Sequence, residues 1–167
     1  MLTLFLKLLR TLNSEAGPWQ ISFAAGLALI IGLTPVMSLH NVLILLFAFV
    51  FRVNLATFFA LWAIFSGFAY LLDPLFDRLG YQWLMAPGMA DFWTGLYQND
   101  FWQLTRFNHT VTLGSLAVSL VLFVPVVLLF RYSVVGYRAK VMPTLERIKI
   151  VQALKASKLY DLYQKLP

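Results

Sequence analysis

The sequence predicts an all-α integral membrane protein: a broken or re-entrant helical hairpin, two full transmembrane helices and interfacial amphipathic helices. Three observations predict it. Apolar residues make up 60% of the chain and charged residues only 12%, about half the ~25% of an average soluble domain. Between positions 21 and 72 the apolar sequence is interrupted only at Thr34-Pro35, with a polar cluster just after it, and at Arg52-Val53-Asn54. Few soluble folds can hide so long a run. The cations lie beside the apolar segments and at the C-terminus, the pattern of a chain facing an anionic cytoplasmic leaflet and not a nucleic acid.

The first eighteen residues read as an N-terminal interfacial helix and turn. Apolar residues recur at Leu2, Phe5, Leu6, Leu9 and Leu12, with Lys7 and Arg10 on the less apolar side. Such a helix is too short to span and lies along the inner interface. No small-residue cleavage site follows, so a cleaved signal peptide is not expected. Asn13 or Ser14 offers a cap for the next element, Gly17-Pro18 sets a turn, and Trp19 suits the interface.

The membrane domain is expected over 19–130. Its hairpin, 21–51, consists of two apolar pieces of about 21 and 24 Å as helices, each short against a hydrocarbon core of about 30 Å. Two readings stay open: a re-entrant hairpin with its tip at Thr34-Pro35, or two short helices in a thinned bilayer. Ala24, Ala28 and Gly32 recur every four residues and give the first piece a smooth face for close packing. Arg52 and Asn54 form a tight turn into a full span, 55–72. There Ala56, Ala60, Ala63 and Gly67 lie on one stripe, read as a helix-packing seam, with Phe58, Phe59, Phe65 and Phe68 pointing mostly elsewhere.

The periplasmic loop is expected at 73–110. It holds Asp73, Asp77, Asp91 and Asp100 against Arg78 and Arg106, together with Trp83, Trp93 and Trp102. It is too charged to cross lipid and too aromatic to float in water, so one or two amphipathic helices on the outer interface fit. The last span, 111–130, carries a small polar stripe of Thr112, Ser115 and Ser119, and Pro125 predicts a kink. The remainder, 131–167, is a basic cytoplasmic amphipathic tail. Placing both termini and the Arg52 turn inside leaves only Arg78 and Arg106 outside, as the positive-inside rule requires.

Read together, G-L-T-P-V-M-S-L-H at 32–40, F-R-V-N at 51–54 and L-L-D-P-L-F-D-R-L-G at 71–80 resemble a family of small, functionally uncharacterised bacterial inner-membrane proteins. Its broader members share a Gly-x-x-x-Pro break, a following His or Gln, and an Arg-x-Asn turn. The stretch L-T-R-F-N-H-T-V-T-L-G-S-L at 104–116 is similar to a narrower subfamily. Where the broader family has Asn-Pro after the third segment, this chain has Asp73-Pro74. The resemblance implies a location in the inner membrane and, for the narrower subfamily, a gene neighbour resembling the AsmA group, which is implicated in moving phospholipid between membranes.

Four groups of residues are singled out. Thr34, Pro35, Ser38, His40 and Asn41 form a polar cluster at a helix break. Transporters use such breaks to hold substrate, but the same groups also satisfy the carbonyls that a break frees. Arg52 and Asn54 read as a turn with a snorkelling cation, or as an anionic-headgroup contact. The small-residue stripe is the third group. Asp73, Asp77, Trp93 and Trp102 read as a local cap of the loop or as a surface for a periplasmic partner. Catalysis is weakly supported: His40 or His109 could in principle pair with Ser66, Ser115 or Ser119. No Gly-x-Ser-x-Gly turn or phosphate-binding glycine loop is present, and no carboxylate pair lies inside a span.

No cysteine and only two histidines are present, so no metal or cofactor is expected. The first expectation is a non-enzymatic inner-membrane subunit that anchors or gates a large AsmA-like envelope partner in lipid transfer. The alternative is a small-solute or ion transporter, working as a homo-oligomer through the broken helix. Membrane lipids are partners in either case, and nucleic acid is not.

Overall fold

A computed structural model describes residues 16–141. The expected N-terminal interfacial helix and most of the basic tail lie outside the described residues. The chain divides into two compact units, Met1–Arg131 and Tyr132–Pro167. Among the described residues there is no strand. The helices are α1 (Pro18–Leu33), α2 (Leu39–Val50), α3 (Leu55–Leu84), α4 (Ala90–Tyr97), α5 (Asp100–Leu104) and α6 (Thr110–Gly136), followed by a π-helical turn, Tyr137–Val141.

α1 begins where the sequence expected a turn. Gly17 is its N-cap and Pro18 its first residue, a position where the missing N–H of proline is no loss. The Gln20 side chain reaches back to accept from the Gly17 N–H at 3.2 Å. The caps proposed at Asn13 and Ser14 are therefore not those of this helix. From Ile21 to Leu33 nearly every residue is buried. A helix apolar on all sides is buried on all sides, and α1 is the helix around which the first unit is built.

Small residues let α1 be surrounded. Ala24, Ala25 and Ala28 pack against Phe58 and Leu61 of α3. A methyl on Gly32 would come within 2.6 Å of Phe65 Cβ and 3.2 Å of the Trp62 carbonyl. On another face, a methyl on Gly26 would meet Val127 and Phe123 of α6. The Asn54 N–H donates to the Gln20 carbonyl at 3.4 Å, so α1 and α3 start at the same end and run the same way. α2 carries the chain back from the end of α1 to the start of α3, with Ile44 and Ala48 buried in the same core.

α3 corrects two expectations. It does not stop at Asp73-Pro74 but runs thirty residues through Pro74 to Leu84, about 45 Å. The proline removes one backbone bond, and the helix continues past it because Phe76 and Gly80 beyond it are packed against α6. The packing face is also not the small-residue stripe. Phe58, Leu61, Phe65, Ala69, Leu72, Phe76 and Gly80 face the core, whereas Ala56, Ala63 and Gly67 are exposed and only Ala60 of the stripe is buried. The physical reason is that close packing needs small residues on one partner only. α1 supplies them, so α3 presents bulk.

Past the end of α1, α3 and α6 close on each other. A methyl on Gly114 would strike the carbonyl oxygen of Phe76, and one on Gly80 the carbonyl oxygen of Thr110. The Thr110 hydroxyl donates to Asp77 at the same crossing. α6 passes through Pro125 without ending. Its stripe of Thr112, Ser115 and Ser119 is buried, and the two serines bond back to carbonyls of their own helix.

Two helices are long and apolar enough to cross a membrane, Leu55–Leu84 and the helical stretch Thr110–Lys140, and only 22% of the most apolar window in each is buried. The core helix of a soluble protein would be mostly covered. Here Phe59, Phe68, Leu71, Val121 and Leu129 face outward, as they do where lipid is the solvent. Both facts support a membrane protein. The hairpin helices are shorter, sixteen and twelve residues, or about 24 and 18 Å.

Candidate functional site

The break between α1 and α2 covers Thr34 to Ser38, five residues and not the dipeptide alone. Pro35 ends α1 because it has no N–H to give the Ile31 carbonyl. The last helical bond is Thr34 N–H to the Ile30 carbonyl, at 3.2 Å. The residues beyond it form a closed network. Asn41, at 2% exposure, donates from Nδ2 to the carbonyls of Pro35 (2.8 Å) and Val36 (3.3 Å). Since carbonyls only accept, this fixes the amide orientation and leaves Oδ1 facing Thr34. The Thr34 hydroxyl lies 2.9 Å from that Oδ1 and 2.9 Å from the Ile30 carbonyl, so its single proton is shared between two acceptors. Ser38 Oγ donates to the Pro35 carbonyl at 2.8 Å.

Of the predicted cluster, the structure brings Thr34, Pro35, Ser38 and Asn41 together and leaves His40 out. Thr34, Ser38 and Asn41 are buried. His40 is half-buried, one position from Asn41 on a different face of α2, and its Nε2 is shut off without a hydrogen-bond partner. The network spends its polar groups on the backbone that the break exposes.

The Arg52-Asn54 turn is also local. Arg52 is exposed and adopts φ +48°, a left-handed conformation uncommon outside glycine. Asn54 caps α3, its Oδ1 accepting from the Thr57 N–H at 2.9 Å. Asn54 Oδ1 therefore has a structural occupation, and the Arg52 side chain is exposed.

The four residues of the expected partner surface separate. Asp77 is bonded to Thr110. Trp93 donates from Nε1 to the Trp83 carbonyl at 3.0 Å and stacks on Phe107, 5.8 Å between centroids. Trp102 is exposed. Asp73 is half-buried in mid-helix, where it lines a cleft of about 270 Å³ with Ser66, Ala69 and Tyr70 of α3, Gly32 to Val36 at the break, and Val111 of α6. Sequence reasoning did not place Asp73 beside Thr34-Pro35. The available signal was distance: a helix parallel to α1 and starting with it reaches Ser66–Asp73 at the level where α1 ends. Among the described residues no group of three His, Cys, Asp or Glu is placed to hold a metal ion.

A relative in Treponema pallidum (strain Nichols), described as an uncharacterized protein, is 28% identical over 150 residues, covering 90% of this chain and 93% of its own. No protein-family model matches the chain, and no solved structure does.

Proposed function

We propose that the protein is a non-enzymatic inner-membrane subunit, with both termini cytoplasmic, that anchors or gates a large AsmA-like envelope partner in phospholipid transfer. The observation that supports this reading most is the segment between the two long helices. α4 and α5 bury none of their residues, and Phe92, Tyr97, Phe101 and Trp102 stand exposed on them. Exposed aromatic side chains are the groups that interfaces use as anchors. Behind them the segment is held in place by the Trp93–Trp83 bond and the Trp93–Phe107 stack, so the anchors are presented on an ordered base. The resemblance to the inner-membrane family, with its AsmA-like neighbour, supplies the class of partner.

The transporter alternative is weakened by Thr34, Ser38 and Asn41, which are bonded to one another and to freed carbonyls, while His40 is not. It keeps one specific observation in its favour, the cleft beside Thr34-Pro35.

The experiment is mass spectrometry of the tagged full chain extracted with its native lipid. The anchor reading expects a stoichiometric large periplasmic protein with enriched phospholipid, and loss of that protein in the double variant F101S/W102S. A homo-oligomer without a partner, from wild type and variant alike, overturns it.

A further inference from the structure

The cleft beside Asp73 arises where three packed helices stop filling the space between them. α1 ends at Leu33, and α3 and α6 meet closely only farther on, at Gly80 and Gly114. The gap of about 270 Å³ holds the equivalent of several waters, at about 30 Å³ each.

Its polar wall is one-sided. Asp73 brings a carboxyl group and Ser66 a hydroxyl, while Tyr70, at 82% exposure, borders the cleft with its side chain largely outside. Gly32 and Leu33 belong to the last turn of α1, where carbonyls have no helical donor ahead of them and the helix dipole is negative. Tyr70 also has a carbonyl deprived of its helical donor, by Pro74. No lysine, arginine or histidine lines the cleft. The remaining wall is apolar, formed by Leu33, Val36, Ala69 and Val111. A ligand for this lining is cationic, rich in N–H donors, and carries a carbon body.

A divalent metal does not fit. Such ions take six or more oxygens with several carboxylates, and Asp73 is the one acid in the lining. A bare alkali ion would leave most of the volume empty and the apolar wall uncovered. A primary ammonium carries one charge and three N–H donors on a tetrahedral nitrogen, with carbon attached. The geometry points to a binding site for a small primary ammonium group at Asp73, supplied by an ethanolamine lipid headgroup or by a free amine. The inference concerns binding by this chain alone and does not rest on the envelope-partner reading.

The test is native mass spectrometry of the purified full chain in micelles with phosphatidylethanolamine, phosphatidylcholine or phosphatidylglycerol. Wild type is expected to hold phosphatidylethanolamine at least tenfold over the other two. Choline has no N–H to donate, and the glycerol headgroup has no cation. D73N lowers that binding roughly ten- to hundredfold, the worth of a charge-assisted hydrogen bond. V36W, at an exposed position of the break, fills the cleft, keeps the carboxylate and gives the same loss. Helix content by circular dichroism confirms folding, and V36W decides if D73N fails to fold. Displacement of the lipid by millimolar ethanolamine, with saturable binding of ethanolamine alone, assigns a free amine; lipid retained against it assigns the headgroup. Equal binding of phosphatidylethanolamine and phosphatidylcholine by wild type overturns the site, as does unchanged binding in the folded variants.

Discussion

Replacing Asn41 probes how the helix break is held. Its side chain makes three bonds: to the carbonyls of Pro35 and Val36, and from the Thr34 hydroxyl. In N41A each of the three partners keeps one other bond. Pro35 retains the Ser38 hydroxyl, Val36 retains the Ser38 N–H at 3.0 Å, and Thr34 retains the Ile30 carbonyl. No group is orphaned, so the loss is the net worth of two bonds and a share of a third, about 1 kcal/mol each. The expected destabilisation is roughly 2–3 kcal/mol, about thirty- to a hundredfold in the unfolding constant. N41D is nearly isosteric and keeps the acceptor for Thr34, but it turns an oxygen toward two carbonyls. The anion must stay buried against them or take up a proton, so N41D is expected to lose more than N41A. The assay is unfolding in mixed micelles followed by far-ultraviolet circular dichroism. N41A within about 0.5 kcal/mol of wild type, or N41D more stable than N41A, would refute the network as the support of the break.

Two further predictions use the same assay. In G114A the new methyl meets the Phe76 backbone, which cannot swing aside, so α3 and α6 must separate at a cost of about 1–3 kcal/mol. G67A meets nothing within 4 Å and gains up to about 1 kcal/mol of helix propensity. The reverse ranking would mean that the helices pack along the small-residue stripe. H40L replaces a ring whose Nε2 has no partner, so stability is expected to hold or rise. A loss above about 2 kcal/mol would show that the imidazole is held by a bond.

How much of this was legible depended on whether the deciding interaction was local. Composition and run length gave the helical class, and the spacing of Ala24, Ala28 and Gly32 marked the close face of α1. The polar residues at the break were read either as a substrate site or as groups that satisfy the freed backbone; Thr34, Ser38 and Asn41 bond to that backbone, and His40 does not. The extent of α3 was not legible. Pro74 carries a local breaking signal, and the contacts that carry the helix past it come from Gly114 and Thr110, more than thirty residues away. The stripe of Ala56, Ala63 and Gly67 failed for a related reason. Small residues show that a close approach is allowed, and only the partner decides which face is used. Asp73 was read as the start of a loop because Pro74 follows it and the stretch beyond carries further charges, Asp77 and Arg78 first. Its neighbours in space are the end of α1 and the cleft.

In the proposed topology α3 and α6 cross the membrane with α4 and α5 on the outer side, where an envelope partner can reach them. The chain has no cysteine, so single cysteines report their side without background. The most direct measurement is labelling of W102C and R52C, both at exposed positions, with a membrane-impermeant maleimide on intact spheroplasts. W102C is expected to be labelled at once and R52C only after permeabilisation. Labelling of R52C in intact spheroplasts, or protection of W102C, would contradict that topology.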